Sequence, residues 1–245
     1  MFEPSAFRKI RRQGLAMPCV RVGASNTSLA VWYVDLDASA HDVCGFESRL
    51  SVEELRRSKR FRSELHRARY IVGRTALRQV LADYLGCSST TIRFSYGPCG
   101  KPMLEGGQSP IEFNMAHSGG DAVIAVADRA AIGVDIEMLR PIEGVESLAR
   151  LAFSDVERRE LDSARDPVSA FLNGWTRKEA YVKALGLGFT APMTKITVSL
   201  SGRAALFSTG LRDQSVSDWR LLSMPHPRGV VALALGPRRD GTGAM

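Results

Sequence analysis

"FLNGWTRKEAYVKALGLG", residues 171–188, carries a helical signal and a chemical anomaly in one stretch. At 100° per residue Phe171, Trp175, Val182 and Leu185 fall into one apolar stripe. Glu179 lies about 60° to one side of the centre of that stripe and Lys178 about 40° to the other. Lys183, four residues on, stands above Glu179. The helix must therefore bury a tryptophan and still hold a carboxylate and two ammonium groups at the rim of its buried face. An ordinary i,i+4 pair would be worth about 0.3–0.5 kcal/mol and would need no further reason. A half-buried carboxylate beside apolar surface points instead to a function.

The stretch has a counterpart. "RYIVGRTALRQVLADYLG", residues 69–86, shares with it an aromatic, basic residues and a terminal Leu-Gly. A capping box, Ser51 with Glu54, opens the helical region that leads into this segment, with a break near Arg62 and Gly86 as the C-cap. Ser154 with Glu157 opens a short helix later in the chain, and Asp166-Pro167 starts the helix that holds Trp175. "SLAVWYVDL", "TIRFSY", "IEFNM", "DAVIAVA" and "AIGVDIEM" read as strands before it, "KITVSL", "SDWRLLSM" and "GVVALAL" after it. The order strand, helices, strands thus occurs twice. It predicts an α+β fold of two pseudo-symmetric halves, residues 1–129 and 130–245, each an antiparallel sheet packed with helices. Asp128-Arg129-Ala130 is expected to turn a hairpin, and residues 1–27 and "PRRDGTGAM" are expected to be loose.

The 245 residues can bury a sizeable core, and 44% hydrophobic with 24% charged residues is the balance of a soluble globular protein. No apolar run approaches the roughly 18 residues that span a bilayer. The basic start, "MFEPSAFRKIRRQG", has no apolar segment behind it, so no secretory signal is expected. Cys19, Cys44, Cys87 and Cys99 are scattered, without a C-x-x-C pair. That spacing speaks against a zinc site or a disulfide framework and for a reducing cytoplasm. A net charge of +7 implies an anionic partner: nucleic acid, a phosphorylated small molecule or an acidic protein. "RRSKRFRSELHRARYIVGRTALR" concentrates the basic residues against a single Glu, which keeps a non-catalytic nucleic-acid-binding protein as the rival reading.

In "GVDIEM", Asp135 and Glu137 alternate onto one strand face, with their Cα atoms about 6.6–7 Å apart. Two such carboxylates suit a Mg²⁺ ion that takes its remaining ligands from phosphate and water, or else form a solvated acidic edge. "FNMAHSGG" places His117 after a strand and before a Gly pair whose N–H groups can meet an anion. "GKP" projects Lys101 from a turn. Arg69 and Arg74 stand about 140° apart on their helix, so they could hold one anion only from two sides.

"FNMAHSGG", "GVDIE" and "WTRKEAYVK", in this order, resemble the signature blocks of the surfactin-type 4'-phosphopantetheinyl transferases, with "RYIVGR" and "GKP" upstream where that family carries basic residues. The resemblance covers about residues 51–200. It implies transfer of the phosphopantetheine arm of CoA to a serine of an apo acyl- or peptidyl-carrier protein, with release of 3',5'-ADP. It implies Asp135, Glu137 and Glu179 as Mg²⁺ ligands (Mn²⁺ as a substitute), and Glu179 also as general base. Lys183 matches the lysine at the CoA pyrophosphate, His117 a histidine near the 3'-phosphate, and Arg69, Arg74 and Lys101 basic residues around the nucleotide. Ala116 stands where the family often has serine. Double length implies one active site in the cleft between the two halves of a single chain, hence a monomer, with no nucleic acid or membrane as partner. A CoA-binding relative without transfer activity is the remaining alternative.

Overall fold

The computed structural model describes residues 8–12, 15–24, 27–37, 40–106 and 111–238. Its first half comprises strands β1 (Arg8–Arg12), β2 (Leu15–Ala24) and β3 (Thr27–Asp35), helices α1 (Ala40–Glu47), α2 (Val52–Ser58) and α3 (Glu64–Leu85), then strands β4 (Phe94–Tyr96), β5 (Pro102–Leu104), β6 (Ile111–Ser118) and β7 (Asp121–Asp128). The second half comprises β8 (Ala130–Met138), helices α4 (Val145–Ala152), α5 (Asp155–Asp162) and α6 (Pro167–Leu185), and strands β9 (Ile196–Val198), β10 (Leu206–Thr209), β11 (Arg220–Met224) and β12 (Gly229–Arg238).

One plan is laid down twice. A long strand leads into helices, a short antiparallel pair follows, and two longer strands close the unit. In each unit the first strand pairs with the last, giving the antiparallel orders β3-β7-β6 and β8-β12-β11, with β2 and β1 extending the first sheet. The fold is α+β, with several small antiparallel sheets. Alternation along the strands sorts their faces. Val34, Ile124 and Val126 pack with Ile71, Leu77 and Leu81 of α3. Leu29, Val31, Val123 and Ala125 join Ile132, Val134, Ile136 and Leu233 in a core shared by both sheets. The other face of the second sheet takes α6 on small residues, Ala131, Ala232 and Ala234 against Ala180 and Ala184.

Helix boundaries follow local chemistry. Both capping boxes are formed, and Gly86 and Gly186 end α3 and α6 at φ 63° and 76°, the left-handed region that favours glycine. Asp166 caps α6 by accepting from Ser169 N at 3.1 Å, with Pro167 in the first turn.

Two expectations are corrected. The hairpin at Asp128-Arg129-Ala130 does not form, because β3 and β6 already occupy both edges of β7. At Arg129, with φ 49°, the chain passes to the second sheet and β8 pairs with β12 instead. Residues 15–24 are not loose: they form a ladder with β3 from Cys19 opposite Trp32 to Ala24 opposite Thr27. The free edge of β3 imposes extension on a segment without periodicity of its own. Residues 1–7 and 239–245 lie outside the described residues. Among the described residues no helix is long and apolar enough to cross a membrane.

Candidate active site

The crossing of α6 over β8 is unusually close. A Cβ on Gly133 would lie 2.0 Å from Ala180 O and 2.4 Å from Ala184 N, both helix backbone. Strand alternation turns Ala131, Gly133, Asp135 and Glu137 toward the helix, and the helix presents Glu179 and Lys183 one turn apart. Lys183 Nζ donates to Asp135 Oδ1 at 2.5 Å. Asp135 is buried, 5% exposed, and its Oδ2 has no hydrogen-bond partner among the described residues. Burial pushes its carboxyl up to about 7, with Lys183 pulling the other way and Glu179 and Glu137 adding to the rise. Glu179 is half-buried and is also held above the usual carboxylate range, by burial first and by Glu137, against the pull of Lys183.

The first half supplies the opposite wall. Asn114 Oδ1 accepts from Val134 N at 2.9 Å, and Ser118 Oγ accepts from Met138 N at 3.3 Å. Both contacts span 20 residues, so β6 runs beside β8 in the same direction, joined by side chains instead of a ladder. Ser118 Oγ also donates to Glu137 Oε2 at 3.0 Å. His117 is exposed on this strand. Partial burial of its ring, then the Lys183 and Arg69 charges, hold its pKa below the usual value. Arg69 grips Asp37 through two nitrogens, at 2.6 and 3.1 Å. A Cβ on Gly120 would come within 2.4 Å of Asp37 Oδ2 and 3.3 Å of Arg69 Nη2, so the glycine turn after His117 makes room for this pair. Ala116 points into the shared core and is buried, so it does not share the side of β6 that presents His117.

Asp135 is thus brought within electrostatic reach of Lys183, Glu179 and Glu137, and His117 within reach of Lys183, Glu137 and Arg69. Two other expected residues are engaged elsewhere. Arg74 Nε donates to Glu54 Oε1 at 2.7 Å and its guanidinium lies 4.4 Å from the Phe94 ring centroid. Lys101 Nζ donates to Ile132 O and Ala184 O, at 3.1 and 3.0 Å. Lys178 is corrected outright. It is fully buried, 2.6 Å from Glu157 Oε2, and donates to Ala152 O and Met193 O, so it is a core cation and not part of the rim. Its neighbour Arg177 is buried on five acceptors from Ser199, Ser201, Gly202 and Ser223. Asn114 and Ser118 were not singled out in the sequence. Their signal was a place on the alternate face of the strand that carries His117.

Among the described residues no group of three acidic, His or Cys side chains stands close enough to hold a metal ion. The donor set nevertheless fits a hard cation. It offers only carboxylate oxygens, and Asp135 Oδ2 is buried without a partner among the described residues. Four arginines of the basic run are paired with carboxylates: Arg67 with Glu47, Arg69 with Asp37, and Arg74 and Arg78 with a shared Glu54. A cavity of about 920 Å³ beside it is lined by Arg56, Arg57, Arg60, Tyr70, Arg93 and Tyr96, among others.

Comparison with known proteins bears on this arrangement. Residues 37–129 match the model described as 4'-phosphopantetheinyl transferase, N-terminal, and residues 131–234 match the 4'-phosphopantetheinyl transferase superfamily. The chain is 35% identical over 210 residues to the 4'-phosphopantetheinyl transferase HetI of Nostoc sp., covering 84% of this chain and 86% of that one. It is 32% identical over 162 residues to the transferase psf-1 of Bacillus pumilus, covering 64% and 67%, and 30% identical over 171 residues to the Bacillus subtilis enzyme, covering 69% and 74%. The chain belongs to the 4'-phosphopantetheinyl transferase superfamily.

Proposed function

We propose that the chain moves the 4'-phosphopantetheine arm of CoA to a serine of an apo acyl- or peptidyl-carrier protein, releasing 3',5'-ADP, with Mg²⁺ as cofactor. The observation that carries this reading is the gathering of Asp135, Glu137 and Glu179 around Lys183, with His117 and Arg69 on the adjoining strand and helix. Cations beside a carboxylate cluster suit a pyrophosphate that shares a divalent ion. A nucleic-acid surface explains the arginines but not these carboxylates, which repel phosphate.

Lys183 meets the pyrophosphate, while His117 and Arg69 face the 3'-phosphate end. Arg74 and Lys101 stay outside this contact set because Glu54 and two carbonyls occupy them. Glu179, a half-buried carboxylate whose burial holds it above the usual range, takes the proton of the carrier's serine. The serine oxygen then bonds to the β-phosphorus as the bond to 3',5'-ADP breaks, and Lys183 offsets the charge on the departing phosphate. When bound, Mg²⁺ supplies charge neutralisation at the pyrophosphate, with Asp135, Glu137 and Glu179 as the residues that would hold it. Most of the protein's contribution is positioning.

Residues 1–129 and 130–245 are proposed as the two halves of one intramolecular site, so a monomer suffices. The support is the repeated strand order and a site drawn from both β6 and β8. A cytoplasmic location is in keeping with free, exposed Cys44, Cys87 and Cys99. The test is to incubate the protein with CoA, Mg²⁺ and a panel of apo-carrier proteins and weigh the products. A mass gain of one phosphopantetheine on a carrier serine is expected. No gain on any carrier, with CoA bound and the fold intact, would favour the non-transferring relative.

A further inference from the structure

We propose that Lys101 is a positioning residue: it fixes the approach of α6 to β8, and with it the placement of Lys183 and Glu179 against Asp135, without touching CoA. The proposal rests on the functional reading above for what is being positioned.

β8 is the edge strand of its sheet, so one row of its peptide groups lacks a ladder partner. Asn114 accepts from Val134 N on that edge. Residues two apart on a strand turn their peptide groups the same way, so the carbonyl of Ile132 opens to that edge as well. Lys101 Nζ donates to it at 3.1 Å. The second acceptor is orphaned for another reason. α6 ends at Leu185, so Ala184 O is one of the last four carbonyls, which have no partner inside the helix. Lys101 donates to it at 3.0 Å and places a cation at the negative end of the helix dipole.

The two acceptors bracket the point of closest approach. Ile132 precedes Gly133, the residue pressed against Ala180 O and Ala184 N, and Ala184 follows Lys183. One ammonium therefore spans strand and helix where their backbones meet. It comes from the other half of the molecule, on the turn between β4 and β5, and its stem passes over Gly186, the α6 cap. The first half thereby sets a distance inside the second.

The test compares wild type with Lys101→Met, which keeps the length of the side chain and removes the donors. CoA affinity is measured by calorimetric titration, kcat at saturating CoA on an apo-carrier protein, and amide exchange in residues 131–134 and 182–187. The expected result is a kcat at least tenfold lower, a CoA dissociation constant within twofold of wild type, and faster exchange in both segments. A CoA dissociation constant raised tenfold or more with kcat unchanged would make Lys101 a ligand and overturn the proposal, as would a variant that behaves as wild type throughout. If Lys101→Met does not fold, Lys101→Gln, too short to span both carbonyls, is read by the same criteria. Failure of the functional reading looks different: wild type itself then neither binds CoA nor modifies a carrier, while the exchange difference between wild type and variant remains.

Discussion

Lys183 Nζ sits 2.5 Å from Asp135 Oδ1, on a strand 48 residues earlier, and makes no ion pair with Glu179 one turn below it on its own helix. The helix thus spends its lysine on tertiary structure and leaves Glu179 without a hydrogen bond among the described residues. A surface i,i+4 pair would cost a few tenths of a kcal/mol to break. Lys183→Ala instead strands a buried carboxylate, and a loss of about 1–3 kcal/mol is expected. Adding Asp135→Asn should recover part of it. Urea unfolding of both single variants and the double variant measures the coupling, and strict additivity would refute it.

Glu179→Gln keeps the size of the side chain and removes its basicity. A fall in kcat of about 10²–10⁴-fold is expected, as for loss of a general base. CoA affinity should hold, since Lys183, His117 and Arg69 remain. Steady-state kinetics on one apo-carrier protein decides; a near-wild-type kcat would remove Glu179 from the chemistry.

Transfer should stop when divalent metal is stripped with a chelator and return with Mg²⁺ or Mn²⁺. Asp135→Asn should need more metal for half-maximal rate, because one carboxylate of the donor set is gone. Rates that do not respond to metal in either protein would refute the assignment of these carboxylates to a cation.

Gly133→Ala puts a Cβ against helix backbone, which has no rotamer by which to yield. Overpacking of this kind costs about 1–3 kcal/mol, and the helix can relieve it only by lifting Lys183 and Glu179 from β8. Gly45→Ala is the control: it lies in α1 with nothing within 4 Å of an added Cβ. It should be neutral or gain up to about 1 kcal/mol. Thermal melts and kcat of the two variants should therefore diverge; equal behaviour would mean that the close approach is not needed.

Lys178 and Glu157 make the opposite case to Lys183. Neither is exposed, and Glu157 also accepts from Val198 N at 2.9 Å. Glu157→Gln leaves a buried ammonium with its charge uncompensated, and a loss of about 3–5 kcal/mol is expected. What activity remains per folded molecule should match wild type, as checked by kinetics below the melting range.

Much of this was legible because the signals are local. Ser51 with Glu54, Ser154 with Glu157, Asp166-Pro167 and Gly86 each determine a helix end through groups within four residues, and all four formed. The alternation in "GVDIEM" placed Asp135 and Glu137 on the face that meets α6. The rest depends on partners remote in the chain. Helical angles put Lys178 and Lys183 on opposite flanks of the buried face, both at its edge, yet only the presence of Glu157 beneath Lys178 tells the buried one from the accessible one. Residues 15–24 take their form from β3, and β8 leaves β7 because that strand is already paired on both sides. Lys101 reads as a turn lysine until the end of α6 is seen above it.

The junction of β6 with β8 leaves the two sheets with independent registers. A one-residue slip within a sheet turns every side chain of the strand to its other face, and the ladder resists it all along its length. Across this junction nothing of that kind operates. Asn114 on Val134 N, and Ser118 on Met138 N and Glu137, are what hold His117 level with the carboxylates. Either lobe can therefore lengthen its outer loops or drift in sequence without disturbing the pairing of the other. Along the β6–β8 seam itself that alignment falls to one amide and one hydroxyl, backed by Lys101 and by the apolar core the two sheets share.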